Sequence, residues 1–509
     1  MSLAKANGVV ISGVDAHIVE VEAHLSSGLP GMSIVGLADT AVGEARDRVR
    51  AAVLNSGARW PQIRITVGLS PASLHKRGSG LDLAIASAIL AADGQIPCEP
   101  LADAILFGEL GLDGRVRPVR GAVVAAVAAV RSGLDRIVVA EQNVAEAGVV
   151  PGVSAVGVRS LRHWGQVLTG AAVDEVPDPV PEVPVTADPE AGAEPDLADV
   201  LGQAEAVTAL EVAAVGGHHV AMVGRPGVGK TLLAERLPTI LPDLTDDDAL
   251  SVTAIRSVVT DVAGLVRRPP FQAPHHTATV AALVGGGRGG QPTPGAVTLS
   301  HAGVLFLDEA AEFGSACLES LRQPLESGEV CIARAGFTAR MPARFQLVLA
   351  ANPCPCGLGD GAGQECRCRS VDRRRYRTRL SGPLMDRVDI RITLGPPGRS
   401  TWSLECGDVD SATVRAQVSD ARARATRRCR VLGLSPALNG AQPSSSLRGP
   451  LAPGPDAADV LGRAISEGRL SARGADRAIR VAWSLADLSG ADRPDLEHVG
   501  RALTLRGEL

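Results

Sequence analysis

The sequence predicts an α/β protein whose centre is a parallel three-layer sheet, and three stretches carry that prediction. The apolar run HHVAMV leads into the glycine-rich turn GRPGVGKT (Gly224 to Thr231) and then the helical TLLAERL, the strand–loop–helix order that a phosphate-binding loop requires. VLFLDE, Val304 to Glu309, is a short apolar strand that ends on two carboxylates, and FQLVLAAN is a third that ends on Asn352. Open α/β sheets bind ligands at the carboxyl ends of their strands, so these three ends define a candidate site.

The elements follow in chain order. Residues 1–170 mix alternating runs of strand type (IVEVEAHL, IRITVGL) with segments of helical spacing that stop at glycines (GEARDRVRAAVLNSG, LDLAIASAILAADG), which predicts a mixed α/β domain. Residues 171–197 form a linker: from Asp174 to Asp196 there are eight acidic residues, six prolines and no basic residue, a composition too poor in apolar area to fold. Residues 198–395 hold the parallel sheet, opened by the helical AEAVTALEVAAVGG. Residues 396–509 read as a helical lid, with a break expected near GLSPALNGAQPSSSLRGPLAPGP.

Composition narrows the partners. The chain has 509 residues, 45% of them hydrophobic, and 51 basic against 56 acidic side chains. Its net charge of −5 gives no global signal for nucleic acid or membrane, so any polyanion site is local. GAVVAAVAAV, between Arg120 and Arg131, is the longest clean apolar run and is too short to span a bilayer. Nine cysteines, an odd number, and no apolar leader before Asp15 predict a cytoplasmic protein without a disulfide framework.

The chemistry expected at the strand ends can be named residue by residue. Lys5, Lys76 and Lys230 are the three lysines. Gly224, Arg225, Pro226, Gly227, Val228, Gly229, Lys230, Thr231 and Leu232 form the expected nucleotide cradle: backbone N–H groups face the β-phosphate, Lys230 reaches the β- and γ-phosphates, and Thr231 offers a hydroxyl to Mg²⁺. Asp308 suits the Mg²⁺ shell and Glu309 the polarising of a water, while the Asn352 amide can orient that water. No Asn-Lys-x-Asp run for reading guanine is present, which favours ATP.

Further along, SGPLMDRVDI places Arg387 as a candidate finger for a neighbouring subunit's ATP, or as the partner of Asp389 in a surface ion pair. Arg473, Arg477 and Arg480 follow one another on a helix expected to start near Ser471; one of them is expected at the γ-phosphate, and spacing does not choose among them. Cys354, Cys356, Cys366 and Cys368 form two CxC pairs, which fit either a tetrahedral Zn²⁺ site or a set of reduced thiols. From Arg367 to Arg379 seven arginines face one acid. These residues, Arg373, Arg374 and Arg375 among them, suit nucleic-acid phosphates or an acidic neighbouring surface. EVCIARAGFTARMPARFQLV reads as a hairpin turning near Gly336 that projects Arg334 and Arg340.

With PFQAPHHTAT, ANPCPCG and SGPLMDRVDI, the chain resembles the magnesium-chelatase-like branch of the AAA+ ATPases, specifically the ComM/YifB type, over nearly its whole length. The resemblance implies a P-loop AAA+ core with an insert in helix 2 (275–287) and a pre-sensor-1 hairpin (334–340). In that scheme Lys230 is the Walker A lysine, Asp308 and Glu309 are Walker B, Asn352 is sensor 1, Arg387 the arginine finger and Arg473 sensor 2. It implies hexameric rings that act on single-stranded or branched DNA as branch-migration helicases when DNA is integrated during natural transformation. The front domain resembles the Lon-protease type with an S5-like α+β fold. No lysine lies between Lys76 and Lys230, however, and the serine slot falls on Gly80, so a non-proteolytic scaffold is expected. The competing readings are the motor subunit of a magnesium–porphyrin chelatase, a Lon-type peptidase and a nucleotide-gated assembly scaffold.

Overall fold

The computed structural model describes residues 2–36, 40–72, 74, 76, 78–173, 195–288, 291–334, 337–359, 366–380, 382–395, 409–435 and 437–507. Most of the acidic linker, residues 174–194, and the expected hairpin turn at 335–336 lie outside them.

The front domain is built on a seven-stranded mixed sheet. Strands β1 (Ser2–Ser12), β2 (Asp15–Ser26), β3 (Gly31–Val35), β4 (Arg64–Ser70) and β5 (Ala104–Phe107) precede the short pair β6 (Glu109–Leu110) and β7 (Val116–Arg117), then β8 (Arg136–Ala140) and β9 (Ser154–Val158). The order in space is β3-β4-β2-β1-β5-β8-β9. The IVEVEAHL run lies in β2, whose alternate residues Val19, Val21, Ala23 and Leu25 are buried, the period-two pattern of a strand with one covered face. Helix Asp82–Ala92 is buried along its whole length. Across the sheet, the alanine-rich helix Ala122–Arg131 packs on Ile105, Phe107, Ile137 and Val139. Its small side chains let backbone approach backbone, which suits a chain with 2% aromatic residues.

The second sheet is parallel throughout. It comprises β10 (Val220–Gly224), β11 (Phe271–Gln272), β14 (Val304–Leu307), β17 (Gln346–Ala351) and β18 (Ile390–Leu394), in the order β11-β14-β17-β10-β18. Two hairpins stand apart from it: β12 (Gly285–Arg288) with β13 (Gln291–Pro294), and β15 (Glu329–Arg334) with β16 (Phe337–Pro342). Both faces of the sheet are covered. Val220, Met222, Val304, Phe306, Val348 and Ala350 face the helices Ala204–Gly216 and Lys230–Ile240, whereas Ala221, Leu305, Leu307, Leu347 and Leu349 face the β15–β16 side. Burial on both faces is why these strands read as unbroken apolar runs.

The helical tail shares the core of the sheet domain. Helices Ser411–Leu432 and Ala472–Ser489 contribute Val414, Val418, Ala478, Val481 and Trp483 to the cluster that contains Met222 and Phe306. The segment expected to break this region is instead packed in place: Asn439 is buried and donates to Asp487 (2.8 Å) and Ser484 (3.2 Å). Its glycines and prolines set turns, and buried polar bonds supply the order that apolar periodicity lacks. Behind the linker, Ser411 ties the lid to the core, accepting from the Leu197 N–H (2.8 Å) and bonding Thr239 (2.7 Å). The front domain docks through the same alanine-rich helix: the Gly121 N–H donates to Ser257 O (2.9 Å), and Leu250 and Ala254 pack against its apolar face.

Candidate functional site

Strand order assembles the site. β14, β17 and β10 are neighbours, so Asp308, Asn352 and the glycine-rich loop leave the sheet side by side. Gly227 (φ 78°) and Gly229 (φ 94°) take left-handed backbone, a conformation costly for any residue with a Cβ, and Gly229 caps the helix Lys230–Ile240. A Cβ on Gly224 would come within 2.9 Å of Leu394 O, while one on Gly227 would meet nothing within 4 Å. The loop is therefore tight against the sheet and open outward, with the helix N-terminus and its partial positive charge behind it.

The charged groups converge. Lys230 is buried; its Nζ donates to Gly224 O (2.7 Å), Arg225 O (2.9 Å) and Asn352 Oδ1 (3.1 Å). Thr231 Oγ1 donates to Asp308 Oδ2 (3.0 Å), and Asp308 Oδ1 accepts the Glu309 N–H (2.8 Å). Lys230, Thr231, Asp308 and Asn352 thus meet where one helix N-terminus faces two strand ends. This donor set fits a nucleotide triphosphate and its metal: an ammonium and helix N–H groups for phosphate oxygens, a hydroxyl and a carboxylate for Mg²⁺. Glu309 holds a left-handed backbone (φ 48°, ψ 42°), an uncommon state for a residue with a side chain. Its carboxylate pairs with His276 Nδ1 at 3.1 Å. His276 is a site residue that reasoning on strand ends had passed over, although PFQAPHHTAT was already conspicuous.

The four cysteines lie beside this cluster. Gly357 packs on the phosphate loop, where an added Cβ would be 2.7 Å from Pro226 Cδ. Cys354 Sγ is 3.3 Å from Cys356 Sγ and 3.7 Å from Cys366 Sγ, and the four sulfurs lie within 4.8 Å of one another. A Zn²⁺ with four thiolates at about 2.3 Å sets sulfurs about 3.8 Å apart, so the residues fit that ion. Hydrogen bonding from the Leu358 N–H is the main cause lowering the Cys356 thiol to about 6, and a thiolate is the form a metal takes. The next helix, Ser370–Arg379, exposes Arg374 and Arg375 and half-buries Arg373. It is anchored by Tyr376, the one tyrosine of the chain, whose side chain is buried. The Arg334 and Arg340 side chains are exposed on β15–β16 while Ile332 and Ala339 are buried beneath.

Arg387 does not pair with Asp389. Its guanidinium bonds Glu326, while Asp389, fully enclosed, accepts from His218 Nδ1 (3.0 Å) and from Arg477. Burial opposes charge on Asp389, but His218 and Arg477 more than offset it and hold the carboxyl well below its ordinary range. Arg477 and Arg480 are engaged with Asp389 and with Gln442 O (2.9 Å) respectively, whereas Arg473 is exposed. Arg387 and Arg473 share one cleft of about 270 Å³ with Glu326, and no phosphate-loop residue lines it.

In the front domain the serine slot is closed. A Cβ on Gly80 would lie 2.6 Å from the Phe107 ring. Ser79 donates to Glu109, and the buried Lys76 donates to Pro71 O, so hydroxyl and amine bond elsewhere.

Comparison with known proteins settles the lineage. Residues 196–401 match the family described as "Magnesium chelatase, subunit ChlI", residues 21–143 "Subunit ChlI of Mg-chelatase" and residues 408–506 "Magnesium chelatase, subunit ChlI C-terminal". The chain is 40% identical to the uncharacterized protein YifB of Escherichia coli, covering 99% of this chain and 97% of that one. It is 38% identical to the competence protein ComM of Haemophilus influenzae over 99% and 98%. The chain belongs to the ComM/YifB-type magnesium-chelatase-like family. Another member, an uncharacterized protein of Mycobacterium tuberculosis, is 48% identical over 99% of both chains. A Lon protease of Trichlorobacter lovleyi matches 35% of this chain at 24% identity. The parallel sheet with its glycine-rich loop is the α/β AAA+ fold of this family, and among the described residues no helix is long and apolar enough to cross a membrane.

Proposed function

We propose that this family member is an ATP-driven DNA motor, a cytoplasmic hexameric helicase that migrates branched DNA during integration of incoming single strands. The observation that carries the reading is the convergence of Lys230, Thr231, Asp308, Glu309 and Asn352 at the ends of adjacent strands. Lys230 exchanges its carbonyl partners for β- and γ-phosphate oxygens, Glu309 accepts a proton from the attacking water, and Asn352 orients that water. Mg²⁺, held through Thr231 and Asp308, supplies charge neutralisation on the phosphates.

The cleft holding Arg387 and Arg473 supports action between subunits, because two guanidiniums gathered away from their own phosphate loop suit a neighbour's γ-phosphate. DNA is assigned to Arg334 and Arg340 on the hairpin and to Arg373, Arg374 and Arg375 on the helix. Their concentration makes a local basic surface on a chain of net charge −5. Cys354, Cys356, Cys366 and Cys368 would hold a Zn²⁺, which would tie the start of that helix to the segment after Asn352. The relative's printed name, competence protein, is the support for natural transformation.

The decisive assay is ATP-dependent migration of a synthetic four-way junction, with Lys230→Ala beside wild type. ATP turnover without junction migration or DNA stimulation would count against the reading. A chelatase motor is the second reading, favoured by the family descriptions. Co-purification with large chelatase subunits and porphyrin-dependent turnover would establish it.

A further inference from the structure

The two hairpins touch the front domain as well as each other. β1 and β2 pair without a break from Ser2 opposite Leu25 to Ser12 opposite Asp15, a long ribbon closed by the two-residue turn Gly13–Val14. Gly13 is left-handed (φ 67°), as the first central position of a tight hairpin turn favours. The tip of this ribbon reaches out of its own domain. A Cβ on Gly13 would fall 2.7 Å from Met341 Cε of β16 and 3.4 Å from Pro292 Cγ of β13. Val14 packs on the cluster that holds Val330, Ile332, Ala339 and Met341, whereas Ile11 and Ala16, on either side of the turn, pack on the front domain's cluster around Ile105 and Ile137. The β12–β13 hairpin in turn leans on β15: a Cβ on Gly285 would lie 2.7 Å from Ile332 Cδ1. One turn of the front domain is thus wedged where the two hairpins come together.

A two-stranded hairpin is marginal in water by itself, so the pitch of such an arm is set by what its buried face rests on. Along β16 the faces alternate: Ala339 and Met341 are buried, and Arg340 between them is exposed. The residue on which the turn sits therefore adjoins the arginine that the same strand sends outward. Beside the turn, front domain and core stand apart around a cavity of about 610 Å³ lined by Asp15, His17, Leu250, Ser251 and Pro342, which leaves the seating of the hairpins to the turn. We propose that the front domain braces the two hairpins, with Val14 and Met341 as positioning residues that fix how Arg334 and Arg340 are presented to DNA. The proposal rests on the DNA reading of those arginines.

The test uses the full chain and reads affinity for a fluorescein-labelled single-stranded oligonucleotide, DNA-free and DNA-stimulated ATP turnover, and hydrogen exchange of the β15 and β16 amides. Val14→Asp sets a carboxylate in the apolar contact. It is expected to weaken DNA binding and stimulation by about two- to thirty-fold, to quicken β15–β16 exchange, and to leave DNA-free turnover and the KM for ATP at their wild-type values. Rescue is possible because a Cβ at position 13 would lie 3.6 Å from Pro292 Cβ, within the span of a disulfide. Adding Gly13→Cys and Pro292→Cys to Val14→Asp should return affinity and exchange to wild type when oxidised, and dithiothreitol should undo the rescue; Val14→Asp alone, given the same oxidant, stays weak. Val14→Ala repeats the loss in smaller measure should the aspartate impair folding. Wild-type affinity and exchange in both Val14 variants overturns the proposal, as does a loss that extends to DNA-free turnover and that the closed disulfide does not repair. If Arg334→Ala with Arg340→Ala leaves DNA binding unchanged while β15–β16 exchange still follows the disulfide, the brace stands and the DNA reading of those arginines fails.

Discussion

Two glycine-rich turns, Gly78–Gly80 in the front domain and Gly224–Gly229 in the core, obey the same local rule and lead to opposite chemistry. Each leaves a strand region, uses left-handed glycine and delivers the chain into a buried helix. In the core, the turn opens outward and is followed by Lys230 and Thr231, which meet carboxylate and amide from neighbouring strands. In the front domain the Phe107 ring fills the space in which a side chain at position 80 would stand. A turn supplies conformation; what faces it across the sheet supplies reactivity.

The largest effect expected from breaking this contrast lies at the cleft that holds Arg387 and Arg473. Arg387→Ala should lower ATP turnover by about 10³-fold or more, and mixing it with Lys230→Ala should recover part of the rate, since each supplies what the other lacks. Recovery that fails at every mixing ratio removes the trans role. Glu309→Gln is next, with turnover expected to fall about 10²–10³-fold while nucleotide binding persists. A scaffold that only binds ATP keeps its function in that variant.

Stability effects are smaller. Asp389→Asn leaves Arg477 without its buried counter-charge and should cost about 3–5 kcal/mol in denaturant unfolding. Gly80→Ser sharpens the comparison from the other side. It should lose about 1–3 kcal/mol through overpacking on Phe107, read as a lower Tm, and should gain no casein cleavage.

The smallest effect is a pH response of opposite sign in the two regions. His219 and His301 are both lowered to about 4, chiefly by burial. Each Nδ1 already accepts a backbone N–H, from Leu347 (3.0 Å) and Arg344 (3.1 Å). Between their ordinary value near 6.5 and about 4, the unfolded chain binds protons that the folded core refuses, so acidification destabilises the core. Glu146 is raised to about 7, mainly by burial. From about 7 down to its ordinary 4.5 the folded front domain holds a proton that the unfolded chain does not, so acidification stabilises it. Hydrogen exchange between pH 7 and 5, corrected for intrinsic rates, should show β17 amides losing protection while the helix Ala122–Arg131 gains it. His301→Gln should weaken the first trend, and a uniform response across both regions would contradict the assignment.

Most of the scaffold was legible because its signals are local. Period-two burial in β2, unbroken apolar runs in β14 and β17, and glycine caps after the helices each follow from neighbours in the chain. The strand ends marked Lys230, Asp308, Glu309 and Asn352 for the same reason. Less legible was the stretch after Gly433, whose turn residues suggested a break although buried bonds from Asn439 hold it in place.

By itself the sequence determined where the phosphate loop, the acidic strand end and the cysteine pairs would lie, because each is written in consecutive residues governed by backbone conformation. Tertiary structure alone decided the pairings. It took Asp389 away from Arg387 and gave it to His218 and Arg477, set Arg473 beside Arg387, and brought His276 level with Glu309. Those contacts depend on which strands become neighbours and in what register, a choice made by burying both faces of the sheet at once, and no window of adjacent residues contains it.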